Sequence, residues 1–246
     1  MNCNLSQATA SLLARPKPLI LLDTCSLLDI VRSAYRPNVN VSHLAGAQAL
    51  LAKVRAGQIC VAATTTVERE FQEHLRATTL ELERSIADLA AKNAAVINAI
   101  ECINLDYRFT VDGLVGIKLT DKLQTIAQDV FASALVLERD SACERSAFDR
   151  VERYQAPAAR GKSESKDCLI IEHYLKLVRD LRAAGFTEKA VFVTSNSNDY
   201  GKVGALRAPL DTDFQAVGIE YVNNFQWALA TAQPLMLRVE APAAET

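Results

Sequence analysis

The chain has 246 residues, half of them apolar, and its 27 Lys and Arg nearly balance 29 Asp and Glu, leaving a net charge of −2. That length and apolar content support a buried core and exclude a disordered chain. No apolar run approaches the ~20 residues that span a bilayer, and near-neutral charge excludes a broad electrostatic affinity for nucleic acid. Met1 to Lys17 lacks a basic start followed by a continuous apolar stretch, so no signal peptide is expected and residues 1–17 read as a flexible N-terminus. Cys3, Cys25, Cys60, Cys102, Cys143 and Cys168 are scattered without a Cys-x-x-Cys pair, which suits free thiols in a reducing cytoplasm. His43, His74 and His173 are isolated too, so a structural zinc site is not expected and the three read as surface or packing residues.

In chain order, Leu19-Ile20-Leu21-Leu22 is an apolar run set off by Pro16 and Pro18, as in a strand buried on both faces of a parallel sheet. The helical spacing of Leu27, Leu28, Ile30 and Val31 begins directly after it. A helix is predicted from Leu44 to Arg55, ended by Gly57, and a second strand from Ile59 to Ala62. Thr66 to Ile103 is nearly free of Gly and Pro and rich in Ala, Leu and Glu, which predicts one long helix or two. Asp106 to Gly116 reads as a break, and Lys118 to Tyr154 as a second helical region. Gln155 to Lys166 reads as a polar loop, followed by an amphipathic helix with Cys168, Ile171, Leu175, Val178 and Leu181 on one face. Strands at Ala190–Val193 and Ile219–Val222, a short helix from Asn224 to Ala232 and a frayed tail from 239 to 246 complete the chain. This alternation predicts a single α/β domain over 18–238, with a mostly parallel central sheet and a helical insertion at about 75–154.

Four acidic residues fall at the ends of these elements: Asp23 after the first strand, Glu70 near the start of the long helix, Asp167 in the first turn of the amphipathic helix, and Asp199 just past the third strand. In a parallel sheet all four would share the edge formed by strand carboxyl ends and helix starts, where α/β sheets bind ligands. Carboxylates that converge repel one another unless Mg²⁺ or Mn²⁺ neutralises them. Glu68 and Glu73 compete with Glu70, but Phe71 beside it and Val67 three residues before favour Glu70 as the inward residue.

The set resembles the PIN-domain family of metal-dependent nucleases. The resemblance rests on Leu21-Leu22-Asp23-Thr24-Cys25-Ser26, Thr66-Val67-Glu68-Arg69-Glu70-Phe71, the helix-borne Asp167, and the motif from Thr194 to Tyr200. It implies a three-layer sandwich and a Mg²⁺- or Mn²⁺-dependent endonuclease, with Asp23, Glu70, Asp167 and Asp199 as both metal ligands and catalytic residues. The implied substrate is RNA, single-stranded in preference, cut by hydrolysis with a metal-activated water. Toxins and defence components occur in such a family, as do inhibitory protein partners and homodimers. Thr24, Ser26, Thr194, Ser195 and Asn196 would support the carboxylates, and Arg160, Lys162 and Lys166 would contact phosphates. Asn196 stands where many members carry Asp, which leaves Asp199 as the fourth acid and Asn196 as a neutral oxygen ligand or a hydrogen-bond partner.

Each of these residues has a plainer reading. Asp23 could be only a helix N-cap, Asp167 a helix-start charge capped by Ser163 or Ser165, and the basic residues ordinary loop charges. A PIN-like module that binds RNA or protein without cleaving is therefore the alternative function. A small-ester phosphohydrolase is disfavoured because Asp23-Thr24-Cys25 lacks an Asp-x-Asp pair. Gly161-Lys162-Ser163 matches the end of a P-loop, but the first glycine would fall at Ala156 and no strand precedes it, so nucleotide binding is not expected.

Overall fold

Leu19 to Leu22 are all fully buried, as a continuous apolar run requires of a strand covered on both faces. The computed structural model describes residues 2–103, 118–161 and 164–233. Its strands are β1 (Asn2–Cys3), β2 (Leu19–Leu22), β3 (Cys60–Thr64), β4 (Leu135–Leu137), β5 (Ala190–Val193), β6 (Gly201–Lys202), β7 (Ala205–Leu206) and β8 (Ile219–Val222). Six form one parallel sheet in the order β1-β4-β3-β2-β5-β8, and β6 and β7 make a separate antiparallel hairpin.

The helices are α1 (Leu5–Ala14), α2 (Thr24–Arg32), α3 (Ser42–Arg55), α4 (Thr65–Cys102), α5 (Leu119–Ala132), α6 (Ser141–Glu152), α7 (Ser165–Ala183), α8 (Ser197–Tyr200), α9 (Leu210–Val217) and α10 (Phe225–Ala232). They pack in two groups about the sheet, α2 to α5 with α10 in one, and α1, α6, α7 and α9 in the other. The protein is thus α/β with a mostly parallel sheet between helices, as the alternation of elements predicts. Gly57 (φ +67°) and Gly185 (φ +86°) follow α3 and α7 in the left-handed conformation that ends a helix.

Two expectations are corrected. The first 17 residues are not a flexible arm: β1 pairs with β4, and α1 buries Leu5, Ala8 and Leu12 in the main core. Asn4 caps that helix, accepting from the Gln7 amide while the Gln7 side chain accepts from the Asn4 amide, a box written in the sequence as Asn-x-x-Gln. Lys118 to Tyr154 is not one helical region, because β4 interrupts it and occupies an interior place in the sheet. Leu135 to Leu137 is too short to show strand alternation, and Ala134 and Leu137 fall three apart, as in a helix.

α4 runs on directly from β3, and its fully buried residues stop at Leu82, with Ile86 the last to pack against the core. α8, α9 and the hairpin were not foreseen. The expected break from 106 to 116 and the tail from 239 to 246 lie outside the described residues.

Sheet register sets up the site. β2 lies between β3 and β5, and it is here that the chain's order in the sheet changes direction. Leu22 pairs with Val193, so the next residues, Asp23 and Thr194, emerge side by side at the carboxyl edge. Leu21 pairs with Ala62, which brings the start of α4 to the same edge. A topological switch point of this kind is where open α/β sheets form their crevices.

Candidate active site

Asp23 is both an N-cap and a member of a cluster. One carboxylate oxygen, Oδ2, accepts from the Cys25 amide at 3.4 Å and from Thr194 Oγ1 at 2.5 Å, and the residue is 2% exposed. Burial, and then the nearby Glu70, push its carboxyl up to about 6, against the lowering effect of the Thr194 hydroxyl. Glu70 accepts from Thr24 Oγ1 at 2.9 Å, and Lys166 Nζ lies 3.2 Å from its other oxygen. Glu73 is the outer residue, exposed and within 3.7 Å of the same ammonium.

Asp167 is the hub. Burial is the largest influence on it, followed by the charges of Asp23, Glu70, Asp199 and Glu164, and together they raise its carboxyl to about 8. Glu164, Asp167 and Asp199 can each place a carboxylate oxygen within 4.8 Å of the others. The structure therefore brings together Asp23, Glu70, Asp167 and Asp199, and adds Glu164, which the sequence reading passed over as part of a polar loop. Glu164 occupies the N-cap position of α7, so it stands three residues before Asp167 at one helix end. Two acids at that spacing were the available signal. Ser165 is the first residue of this helix and not its cap, and Ser163 lies outside the described residues.

The neighbouring hydroxyls divide their work. Thr24 and Thr194 hold carboxylates, whereas Ser26 Oγ donates to the Asp23 carbonyl and so braces the first turn of α2. Ser195 is exposed and lines an adjoining polar pocket. Asn196 donates from Nδ2 to Asp199 Oδ2 at 2.9 Å, and its backbone amide donates to Thr194 Oγ1 at 3.0 Å. Of the expected phosphate contacts, Arg160 is exposed, Lys166 sits against Glu70, and Lys162 lies outside the described residues.

His43 and His173 are packing residues. His43 Nε2 bonds the Ser26 carbonyl at 2.7 Å and Nδ1 accepts from the Phe225 amide at 3.3 Å, while His173 Nε2 accepts from the Asp140 amide at 3.1 Å.

The donor set fits a hard divalent cation. Several carboxylate oxygens face one point, and unneutralised they would repel. The fully buried Tyr200 hydroxyl also faces this cluster, with the Asp167 carboxyl as its polar neighbour. Desolvation, and then the charges of Asp167 and Asp23, push its pKa well above the usual phenol range, so it lies at the edge of the same cluster.

Among the described residues no helix is long and apolar enough to cross a membrane. Comparison with curated proteins and with solved structures returns no match. A family model described as the PIN domain matches residues 20–200, a span that opens on the strand leading to Asp23 and closes on Asp199 and Tyr200. With that match over most of its length, and the parallel sheet that carries it, the chain belongs to the PIN-domain family, a nuclease-type fold.

Proposed function

We propose that the protein is a metal-dependent endoribonuclease that hydrolyses phosphodiester bonds of single-stranded RNA, using Mg²⁺ or Mn²⁺ held by Asp23, Glu70, Asp167 and Asp199, with Glu164 as an additional ligand. The observation that carries this is the convergence of five carboxylates from four elements on the carboxyl edge of the sheet at its switch point. A bound divalent ion supplies activation of a water and stabilisation of the leaving oxygen. The chain's own residues do the positioning. Thr194 and the Cys25 amide fix the orientation of Asp23, Thr24 fixes Glu70, and Asn196 fixes Asp199. Without an ion, Asp167 keeps its proton at neutral pH, which limits the charge in the cluster. Lys166 balances Glu70 and stands where a substrate phosphate beside the carboxylates would meet its ammonium.

A labelled single-stranded RNA incubated with wild-type protein and with Asp23→Asn, in Mn²⁺ and in EDTA, tests this. Cleavage by the wild type in Mn²⁺ is expected, with none in EDTA. The loss in Asp23→Asn should exceed the ~10- to 100-fold that removing an outer partner of a metal ligand costs. Asn196, a neutral amide among the carboxylates, favours the second reading, a module that binds RNA or protein without cleaving. A folded wild type that binds Mn²⁺ and RNA but leaves the RNA intact would establish it.

A further inference from the structure

Beside the acidic cluster lies a cavity of about 510 Å³, enclosed by the first turns of α4 and α7 and one face of α6. Its apolar lining includes Phe148, Val151 and Leu169, and its cations Arg69, Arg139 and Lys166 outnumber the single carboxylate Glu144, although each is already ion-paired, Arg69 with Glu73, Arg139 with Glu144 and Lys166 with Glu70. Phe148 is 62% exposed, although the same helix buries Cys143 and Ala147. An aromatic ring left open inside a cavity of ligand size, with cations in excess on its rim that can exchange a carboxylate for a phosphate, is the combination that receives an unpaired base and its phosphates. Lys166 joins the two regions: it lines the cavity, and its ammonium lies 3.2 Å from Glu70 Oε1. A strand whose phosphate sits at the carboxylates can therefore place an adjacent base against Phe148.

We propose that this cavity is a base-stacking subsite for single-stranded nucleic acid, in which Phe148 stacks on one unpaired base next to the phosphate held at the acidic cluster. The proposal rests on the nucleic-acid reading of that cluster and adds the chemistry by which a strand is gripped. The surface around Phe148 is apolar, with Ala147, Val151 and Leu169 beside it, and every base presents a π-face, so the subsite favours an unpaired base over a paired one and is tolerant of its identity. A duplex, with its bases stacked internally, cannot offer one.

The test is fluorescence anisotropy with a labelled twelve-nucleotide oligouridylate, intact or with its three central nucleotides abasic. It is titrated with wild-type protein, Phe148→Ala and Phe148→Tyr in the presence of Ca²⁺. Phe148→Ala should weaken binding of the intact strand by about 5- to 150-fold, the range of one base–aromatic stack. The abasic strand should bind the wild type more weakly by a similar factor, and Phe148→Ala should no longer distinguish the two strands. Phe148→Tyr keeps the ring and should keep the affinity.

Equal affinity of Phe148→Ala and wild type for the intact strand overturns the proposal, as does a wild type that binds neither strand. If Phe148→Ala instead turns a dimer into a monomer with RNA affinity unchanged, the face belongs to a second copy of the chain and the subsite is refuted. The catalytic reading fails separately. Phe148-dependent binding without cleavage in Mn²⁺ would leave the subsite standing and remove the nuclease.

Discussion

At Asn196 a single side chain sets the charge of the site. Its amide donates to Asp199 Oδ2 at 2.9 Å, holding that carboxylate without adding another negative group. Asn196→Asp would remove the donor and place a further carboxylate among Asp167, Asp199 and Glu164. The metal-free protein should lose about 1–3 kcal/mol of stability, the cost of a broken buried contact, with added repulsion. Mn²⁺ should bind more tightly to the variant, and calorimetric titration would show it; an unchanged affinity would place Asn196 outside the ion's surroundings. At this scale the sequence was informative where backbone and chemistry coincide. Asp23 follows an unmistakable buried strand, and register alone brings Thr194 beside it. Glu164 carried only the fainter mark of its spacing from Asp167, because a carboxylate at the end of a polar loop looks much the same whether it faces solvent or a cluster. Whether Ser26 would brace the backbone or the carboxylate was equally illegible, since a hydroxyl three residues along can reach either.

The elements that escaped sequence reading carry measurable stability. α1 belongs to the core, with Leu12 only 1% exposed among buried apolar neighbours. Leu12→Ala should therefore cost about 2–5 kcal/mol in urea unfolding, whereas a flexible arm would give no change. The signals were present as Asn4-x-x-Gln7 and the spacing of Leu5, Ala8 and Leu12, a short capped helix whose apolar face has three members. β4 failed for a different reason: three residues cannot show a period of two, and only its pairing with β1 and β3 gives it an identity. Packing between helices was also unreadable. Gly46 on α3 approaches α10 so closely that a Cβ there would lie 2.4 Å from the Gln226 amide nitrogen and 2.8 Å from the Phe225 carbonyl carbon. Alanine would favour an isolated helix by about 1 kcal/mol, yet both obstacles are backbone. Gly46→Ala should destabilise by about 1–3 kcal/mol net, read as a lower denaturation midpoint, and a more stable variant would mean that the two helices are free to separate.

Across the whole molecule, the site joins parts of the chain that are far apart in sequence. Its carboxylates come from the cap of α2, from α4, from both the cap and first turn of α7, and from α8, so charge there acts on the entire fold. Asp23 is raised to about 6 and Asp167 to about 8, both from 3.8, so the native state holds protons that the unfolded chain has released. Their contribution is complete below pH 4 and declines as pH rises, through 6 for Asp23 and 8 for Asp167. His43 acts in the opposite sense: burial depresses its pKa below 6.5, so its contribution is intact above that pH and is lost as pH falls. The clean window therefore lies between pH 6.5 and 8, above the ordinary titration of His43 and dominated by Asp167. In EDTA the melting temperature should fall across that window, and Asp167→Asn should flatten the slope. Mn²⁺ competes with the retained proton, so its stabilising effect should grow with pH across the window and level off only above pH 8, once Asp167 has released its proton. Thermal melts at four pH values with and without the ion decide the matter. A melting temperature that ignores both pH and Mn²⁺ would mean that these carboxylates do not share a cation, and the proposed hydrolysis would lose its physical basis.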